Sequence, residues 1–261
     1  MAIISKKGES MITDSFSLEE PIIKPEMIYR RSEKLLDVCL ITFSWKIFQE
    51  ARNMEGSKVV GTLSAASGKY DIISLPIEGR RVGIFLSTVG APACGGFMED
   101  AYALTGAESF ILFGSAGTLD EDKTKGKFII PTSAYRDEGL SYHYLEKGDY
   151  VELEGWRTVE KVFASLKVPY VLGRTWTTDA FYRETRRNAE ERRAEGCIAV
   201  EMEIAGAASV AIHHNWHFYA FLESGDSLEE EWRVSNLMGA NHNALKLALA
   251  METAKGLSID N

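Results

Sequence analysis

Short apolar runs along the chain alternate with segments that have helical periodicity. Brief runs rich in β-branched and aromatic residues fit strands that are covered on both faces. Such runs predict strands at residues 38–43, 82–87, 109–113, 128–134, 170–174, 198–200 and 218–222. Residues 59–63 and 69–75 predict two further strands, and the turn signal of Ser67 and Gly68 joins them.

The segments between these runs predict the helices. Helical patterns lie at residues 92–104, 156–166, 184–195, 205–212 and 231–255, and another helix follows the first strand and ends near Asn53. The helix at residues 184–195 is rich in charge, so we expect it to face solvent. Residues 136–155 are polar and rich in tyrosine, which predicts a long functional loop.

The alternation of strands and helices, with few hairpin signals, indicates the α/β class. We expect a single-domain, three-layer α/β fold with a central mixed β-sheet flanked by helices. One domain is expected to span residues 1–261, because the chain shows no internal repeat, low-complexity segment or linker. Residues 1–37 carry little pattern and are predicted to form an N-terminal arm, with one short helix from Glu26.

Composition and charge narrow the classes of function. The formal net charge of -9 argues against a nucleic-acid-binding surface. No segment is long and apolar enough to span a bilayer, and the N-terminus lacks the apolar core of a secretory signal, so a cytoplasmic location is expected. The 3 cysteines are widely spaced and form no Cys-x-x-Cys pair, so neither a disulfide framework nor a zinc site is predicted.

Three histidines cluster near the end of the helix predicted at residues 205–212. His213, His214 and His217 are spaced as side chains that interact with the last carbonyls of a helix. This spacing suggests a C-terminal cap more than a metal site, because it lacks the arrangement of metal ligands. We therefore expect no bound metal.

Acidic residues follow two of the predicted strands. Glu201, Met202 and Glu203 come after the strand at residues 198–200, and Asp226 comes after the strand at residues 218–222. Ligands of α/β sheets bind beyond the carboxyl ends of the strands. Carboxylates there could bind sugar hydroxyls and protonate a leaving group, while the methionine offers an apolar face. The same acids would also suit the first turn or the cap of a helix.

A glycine-rich segment follows the strand predicted at residues 109–113. It runs from Gly114 to Gly117, and glycines let a backbone approach a ligand closely. The hydroxyl of Ser115 and the backbone N–H groups could hold an anion. Residues 87–92 form a second strand-to-helix junction, where a helix N-terminus could also favour an anion. A plain tight turn explains each segment equally well.

Taken in order, these segments resemble the nucleoside phosphorylase family, which comprises the hexameric purine and uridine phosphorylases and the related nucleosidases. The matching segments are residues 87–92, 113–117, 177–182, 200–203 and 224–226. Residues 136–144 and the pair Trp232-Arg233 look most like the uridine-phosphorylase-like branch. The resemblance implies an enzyme that cleaves the N-glycosidic bond of a uridine or purine ribonucleoside with phosphate, giving free base and ribose 1-phosphate. It implies no cofactor, with phosphate as a co-substrate.

Two alternatives to phosphorolysis stay open. A nucleosidase would hydrolyse the same bond with water, and a non-catalytic protein would only bind the nucleoside. The resemblance also implies a homo-oligomer, either a dimer or a hexamer, in which residues 136–155 or the N-terminal arm reach a partner's site. A small-molecule nucleoside and phosphate are the expected ligands, with no nucleic acid and no membrane.

The resemblance implies roles for individual residues. Two would be catalytic: Asp226 would protonate the leaving base, and Glu203 would accept hydrogen bonds from the ribose hydroxyls. The others would bind substrate: Ser115 at the phosphate or the nucleophilic water, Ala116 and Gly117 along the ribose and base pocket, Phe181 stacked on the base, Glu201 and Met202 around the ribose, and His143 at the sugar.

The chain departs from the family pattern at several positions, and Leu112 is one that bears on phosphate. Phosphorolytic relatives carry an arginine two residues before the first glycine of the glycine-rich segment, and this chain has Leu112 there. The loss of that charge favours the nucleosidase alternative. If phosphate binds, another arginine must hold it, because a guanidinium fork can bind two oxygens at once. The candidates are Arg30, Arg31, Arg136 and Arg174.

Overall fold

The computed structural model describes residues 11–31, 33–229, 232–234 and 237–257. The strands within these residues are β1 Val38–Thr42, β2 Lys58–Ala65, β3 Gly68–Leu75, β4 Val82–Leu86, β5 Ser109–Thr118, β6 Phe128–Asp137, β7 Tyr150–Glu152, β8 Tyr170–Thr178, β9 Cys197–Glu201 and β10 His217–Ser227. The α-helices are α1 Trp45–Asn53, α2 Ala91–Thr105, α3 Glu121–Thr124, α4 Ser141–Tyr144, α5 Trp156–Ser165, α6 Arg186–Ala194, α7 Ile204–His213, α8 Leu237–Asn241 and α9 Leu245–Gly256.

The strands form one mixed sheet, and part of it closes on itself. The order is β10-β6-β8-β9-β5-β1-β4-β3-β2, with β7 beside β6, and β10 also pairs with β5. Strands β5, β10, β6, β8 and β9 therefore make a closed ring, and the remaining strands extend from it as an open sheet. The two parts separate along β5, which pairs with β1 at residues 109–113 and with β9 at Gly117 and Thr118.

Helices cover both faces of the sheet, and alternate residues of the strands point to each face. Phe110 and Leu112 of β5 belong to the core that includes α2 and α7. Ile111 and Phe113 belong to the core that includes α1, α5 and α9. Each such side chain contributes about 1.5–3 kcal/mol when it is fully buried. The predicted fold class, a single-domain three-layer α/β structure with a central mixed sheet, is confirmed.

Three strands continue for four or five residues beyond the apolar runs that predicted them. β5 continues through residues 114–118, β8 through residues 175–178 and β10 through residues 223–227. Their polar and glycine residues remain extended because the ring supplies a pairing partner; β10, for example, pairs with β5 from Ser109 to Thr118. The tight turn considered for the glycine-rich segment is wrong.

Residues 136–155 do not form the predicted long loop. The segment contains the end of β6, the helix α4 and the strand β7. Arg136 holds this segment together, because its buried guanidinium donates to the Ser141 hydroxyl at 2.8 Å and to the Glu146 carbonyl at 2.7 Å. The same guanidinium lies 4.3 Å from the centre of the Tyr142 ring. Tyr142 therefore packs within the segment, whereas the hydroxyls of Tyr144 and Tyr150 donate to Glu99 and Glu195 outside it.

The single helix predicted at residues 231–255 is also wrong, although residues 231, 235 and 236 lie outside the described residues. Two helices, α8 and α9, are separated at residues 242–244. Side chains in the break bind elsewhere: His242 Nδ1 lies 2.7 Å from the Ser44 hydroxyl, and Asn243 donates to Glu223 at 2.9 Å. The Asn243 side chain also accepts from the N–H of Leu245 at 3.1 Å, which starts α9.

The described part of the N-terminal arm is mostly irregular. The helix predicted from Glu26 is a single 3-10 turn, Pro25–Met27. Tyr29 fixes the arm to the body, since its hydroxyl donates to Asp100 at 3.2 Å and accepts from the N–H of Ser64 at 3.0 Å. Residues 1–10 lie outside the described residues. No helix in the described ranges is long and apolar enough to cross a membrane.

Candidate active site

The predicted site residues of three strands meet at one end of the ring. Gly117 of β5 pairs with Asp226 of β10 and with Val200 of β9. Glu201 of β9 lies beside Thr177 of β8. The ends of four neighbouring strands therefore bring their polar residues to one edge, where α/β sheets bind ligands.

Gly117 allows these strands to approach. A Cβ atom there would lie 2.4 Å from Leu228 Cδ1, 3.1 Å from Val200 Cγ1 and 3.3 Å from Asp226 Oδ1. The Asp226 carboxylate thus lies directly over the Gly117 backbone. The glycine is needed for space within a strand, which a turn would not require.

The Glu201 carboxylate is buried and fully occupied by protein donors. It accepts from the hydroxyls of Thr175 and Thr177, and from the N–H groups of Glu203 and Ile204 at 2.8 and 2.7 Å. Burial raises the pKa of Glu201 to about 7, although these bonds oppose the rise. The last two donors belong to the start of α7, so Glu201 caps that helix. Its predicted place at the ribose stays a prediction.

Glu203 lies next to Gly90, whose backbone has a conformation that favours glycine. Gly90 has φ 109°, and its N–H donates to Glu203 Oε1 at 2.7 Å. The Glu203 side chain is buried, with 7% of the residue exposed. Burial raises its pKa to about 8, and the charge of Glu201 adds to the effect. Asp179 is near enough for its charge to raise this pKa further.

Glu201 and Glu203 form a coupled pair, and their surroundings decide which one is charged. The donors around Glu201 stabilise its carboxylate, whereas Glu203 has the more strongly raised pKa. Glu201 is therefore the more readily ionised acid of the pair, and Glu203 the more readily protonated one. Met202 lies between them and is half-buried.

A second pair of acids lies on the Asp226 side. Asp226 Oδ2 accepts from the indole N–H of Trp232 at 2.8 Å. Glu184 is half-buried and close enough to feel the charge of Asp226. Burial raises the pKa of Glu184 to about 7, and Asp226 adds to the rise. The helical pattern at residues 184–195 suggested a solvent-facing residue here, which is wrong: α6 starts at Arg186, and Glu184 precedes it.

An aromatic pair lies in the turn before Glu184. Phe181 and Tyr182 lie in a 3-10 turn, Phe181–Arg183, with ring centres 3.9 Å apart. They are 49% and 89% exposed, so a planar base could reach them. The predicted stacking role of Phe181 is compatible with this exposure and stays a prediction.

Ser115 is held by the C-terminal part of the chain. Its hydroxyl donates to the side-chain carbonyl of Asn241, at the end of α8. Lys246 fixes both neighbours of this pair, because its ammonium donates to the carbonyls of Gly114, at 3.0 Å, and Ala240. Only 1% of Lys246 is exposed, and burial lowers its pKa to about 8. Ala116, beside Ser115, is buried in the core.

The arginines predicted as phosphate ligands are largely committed elsewhere. Arg31 donates to the Tyr102 carbonyl, and Arg174 donates to the Glu195 carbonyl at 3.0 Å. The Arg136 guanidinium donates to the Ser141 hydroxyl and the Glu146 carbonyl. Arg30 is exposed on the N-terminal arm. Leu112 is 1% exposed in the core that includes α2 and α7.

His143 is an exposed residue of α4. Among the residues that the structure describes, no hydrogen bond connects it to the strand ends. Its predicted reach to a sugar across a subunit boundary therefore stays a prediction. The acid beside α4 is Glu138, which is buried and accepts from the N–H of Ser141 at 3.1 Å. Burial raises the pKa of Glu138, with the charge of Asp179 as a further cause.

The histidine cluster has protein partners. His213 Nδ1 lies 3.2 Å from the Tyr144 carbonyl, and His214 Nε2 lies 2.8 Å from Glu99. Within the described ranges, no group of three or more His, Cys, Asp or Glu residues is arranged to hold a metal ion.

The amino-acid sequence matches one family model and several curated proteins. The family model described as "Phosphorylase superfamily" matches residues 49–253. The chain is 24% identical over 154 residues to a purine nucleoside phosphorylase DeoD-type of Exiguobacterium sp., covering 58% of this chain and 65% of that protein. It is 24% identical over 152 residues to a guanosine phosphorylase of Halorubrum lacusprofundi, covering 57% and 62%. The chain thus spans less than two thirds of the length of these two relatives.

A solved structure shares the fold. The crystal structure of AMP nucleosidase from Bacteroides thetaiotaomicron matches with a TM-score of 0.66 and 19% sequence identity. The match covers 85% of this chain and 88% of that chain. At this identity the likeness concerns the fold.

Proposed function

The chain belongs to the phosphorylase superfamily of nucleoside phosphorylases and nucleosidases, and from that membership we propose that it cleaves the N-glycosidic bond of a purine ribonucleoside. The observation that carries the proposal is the meeting of Asp226 and the Glu201–Glu203 pair at one end of the closed ring. Purines are favoured over uridine because the relatives described above are named as purine and guanosine phosphorylases. The uridine-type look of residues 136–144 stays a prediction.

The chemistry of the bond suits these side chains. As the C1'–N bond breaks, positive charge develops on the ribose, and its electron pair passes to the base. Glu203 offers a hydrogen-bonding oxygen to the ribose, and the negative charge shared by the Glu201–Glu203 pair stabilises the positive charge that develops there. Asp226 gives a proton to a ring nitrogen of the base, so the base does not leave as an anion. The exposed Phe181 ring offers a face for the base.

Phosphorolysis is the first candidate form of the reaction, with phosphate attacking the ribose. It is supported by the names of the curated relatives. Ser115 would lie on the phosphate side, and the nearby cation is Lys246, whose ammonium reaches the adjoining Gly114 carbonyl. No cofactor is needed for this chemistry.

Hydrolysis is the second candidate, and one contact favours it. The Ser115 hydroxyl donates its hydrogen to Asn241, so its oxygen is left to accept a hydrogen bond. Water can donate to that oxygen, whereas an unprotonated phosphate oxygen needs donors. The core position of Leu112 and the other partners of Arg31, Arg136 and Arg174 also favour water over phosphate.

The test is base release from a panel of adenosine, guanosine, inosine and uridine, with phosphate titrated from zero. We expect release of purine bases, read by chromatography. A saturable dependence on phosphate would establish phosphorolysis, and a flat response with normal release would establish hydrolysis. Glu190→Gln, on an exposed position of α6, is the matched control and should retain full activity. Binding of a nucleoside without release of base from any member of the panel would contradict the proposal.

A further inference from the structure

The segment after β10 folds back and fixes Trp232 beside the predicted catalytic acid. Ser227 and Arg233 exchange two backbone hydrogen bonds, each of 3.0 Å. Arg233 is fixed in turn, because its guanidinium donates to Glu121 at 2.8 Å. Trp232 immediately precedes Arg233, and its indole N–H donates to Asp226 Oδ2 at 2.8 Å. The backbone bridge therefore sets the place from which the indole reaches the carboxyl.

The two oxygens of the Asp226 carboxyl have separate surroundings. Oδ1 lies 3.3 Å from the position that a Cβ atom would take on Gly117. Gly117 pairs with Val200, the residue before Glu201. Oδ1 therefore lies among the strand ends of the ring, where the other predicted site residues meet, while the indole N–H holds Oδ2.

We propose that Trp232 is a positioning residue for the acid that protonates the leaving purine. Its indole fixes the proton of Asp226 on Oδ1, and from this oxygen the proton passes to the ring nitrogen of the base. The inference rests on the proposed function and adds to it a residue that acts through Asp226 without contacting the reacting atoms.

The chemistry of the indole supports this role. An indole nitrogen donates a hydrogen bond but accepts none, so it cannot take the proton from the acid. A protonated carboxyl has one hydroxyl oxygen and one carbonyl oxygen, and the carbonyl oxygen is the better acceptor. The indole N–H therefore favours the form in which Oδ2 is the carbonyl oxygen and Oδ1 carries the proton. The bond strengthens once the proton has left, because Oδ2 then shares a negative charge.

The step balances without a further reactant. The proton leaves Oδ1 and bonds to the imidazole ring of the base, while the C1'–N bond breaks and its electron pair stays on the base. The ribose carbon forms a new bond to the nucleophile, either water or phosphate. Asp226 then takes a proton back, from the attacking water in hydrolysis or from solvent in phosphorolysis. The indole keeps its hydrogen throughout.

The test separates the N–H group of Trp232 from its ring. Trp232→Phe keeps an aromatic ring without the donor, whereas Trp232→Gln keeps a donor of similar reach without the ring. Since 67% of Trp232 is exposed, neither change should disturb the core. On guanosine we expect Trp232→Phe to lose about tenfold in kcat with little change in KM, the size of a lost hydrogen bond to a charged group, and Trp232→Gln to recover most of that loss. Trp156→Phe, at the start of α5, is the matched control and should retain the wild-type kcat.

A second substrate and a second background show whether Trp232 acts through the acid. Guanosine needs a proton to leave, whereas a guanosine already methylated on its imidazole ring leaves as a neutral base without one. Trp232→Phe should therefore cleave the methylated substrate at the wild-type rate. Asp226→Asn removes the acid, so Trp232→Phe should cost nothing further on guanosine in that background.

Three outcomes would overturn the inference. They are a wild-type kcat of Trp232→Phe on guanosine, an equal loss on both substrates, and a full further loss in the Asp226→Asn background. The last two would give Trp232 a structural or base-binding role that does not pass through the acid.

Failure of the proposed function is recognised separately. If wild type releases no base from either substrate, that function fails, and the pairing is judged in the free protein by NMR. The indole N–H signal of Trp232 is identified by its absence from Trp232→Phe. A signal that moves in Asp226→Asn and stays in Glu190→Gln would support the pairing, and a signal unchanged in Asp226→Asn would refute it.

Discussion

Glu203 illustrates how surroundings decide the charge of a single residue. Its carboxyl has the same chemistry as that of the exposed Glu190, but burial and the neighbouring Glu201 raise its pKa to about 8. In the folded protein it therefore keeps a proton at pH values where the unfolded chain has released it. Binding of a ribose or the growth of positive charge on it would favour loss of that proton.

We predict that Glu203→Gln changes the dependence of stability on pH. Between about pH 4.5 and pH 8 the folded state holds a proton that the unfolded state lacks, so the free energy of unfolding falls as pH rises. The glutamine stays neutral, so this part of the decline should disappear. Urea unfolding of wild type, Glu203→Gln and the control Glu190→Gln between pH 5 and pH 8 measures it. Identical slopes in wild type and Glu203→Gln would contradict the assigned proton.

The same substitution should remove most of the activity while leaving the fold intact. An amide cannot lose a proton to become negative as positive charge grows on the ribose, and a lost electrostatic group of this kind costs about 100-fold or more in kcat. The comparison is base release by Glu203→Gln and by Glu190→Gln, together with their circular dichroism spectra. Wild-type rates in Glu203→Gln would remove this residue from the site.

At the scale of elements, the C-terminal helices are fixed to the strand that carries Ser115. Lys246 of α9 donates to carbonyls of β5 and α8, and Asn241 of α8 accepts from Ser115. The ammonium is buried, and the price of its desolvation is a pKa lowered to about 8. The position of α8 over the ring therefore depends on one side chain from the next helix.

We predict that Lys246→Met loosens α8 specifically. Methionine fills a similar volume but leaves the Gly114 and Ala240 carbonyls without their donor, which costs about 1–3 kcal/mol for each. Deuterium exchange followed by mass spectrometry should become at least about tenfold faster in residues 237–244, with little change in α5. Lys255→Met, at an exposed position of the same helix, is the control. Unchanged exchange in Lys246→Met would mean that α8 is held by other contacts.

At the scale of the whole molecule, the N-terminal arm exposes apolar side chains. Ile22 and Ile23 are 92% and 75% exposed. A cavity of about 420 Å³ lies beside the arm and is lined by Ile23, Ile28, Thr88 and Pro92, among others. Thr88 and Pro92 flank Gly90, which binds Glu203. The arm therefore borders the loop that positions a site residue.

We predict that the protein is at least a dimer and that the arm contributes to its assembly. Sedimentation velocity should show a species larger than one chain of 29.0 kDa. The double change Ile22→Asp with Ile23→Asp should shift it towards the monomer, because charges would replace apolar contacts. Leu166→Asp, at an exposed apolar position after α5, should not. A stable wild-type monomer with full activity would sink this prediction.

Much of the fold follows from the sequence alone. Apolar runs such as residues 38–43 and 82–87 located the central strands, because a strand covered on both faces needs apolar side chains along its whole length. The position of Glu201, Glu203 and Asp226 after such runs predicted that they lie at strand ends, which the structure confirms for the edge beside Gly117. Motifs at strand ends are local, so the sequence displays them.

Tertiary structure alone decided which of these local features meet. Closure of the ring by the pairing of β10 with β5 kept residues 114–118 extended and placed Asp226 over Gly117. Burial of Lys246 depends on α9 packing against distant strands, and the charged pattern of residues 184–195 indicated solvent for Glu184, which is half-buried. Periodicity reports which face of an element is covered. Contacts between residues far apart in the chain decide which elements bury that face. They also decide how burial changes the protonation of an acid or amine.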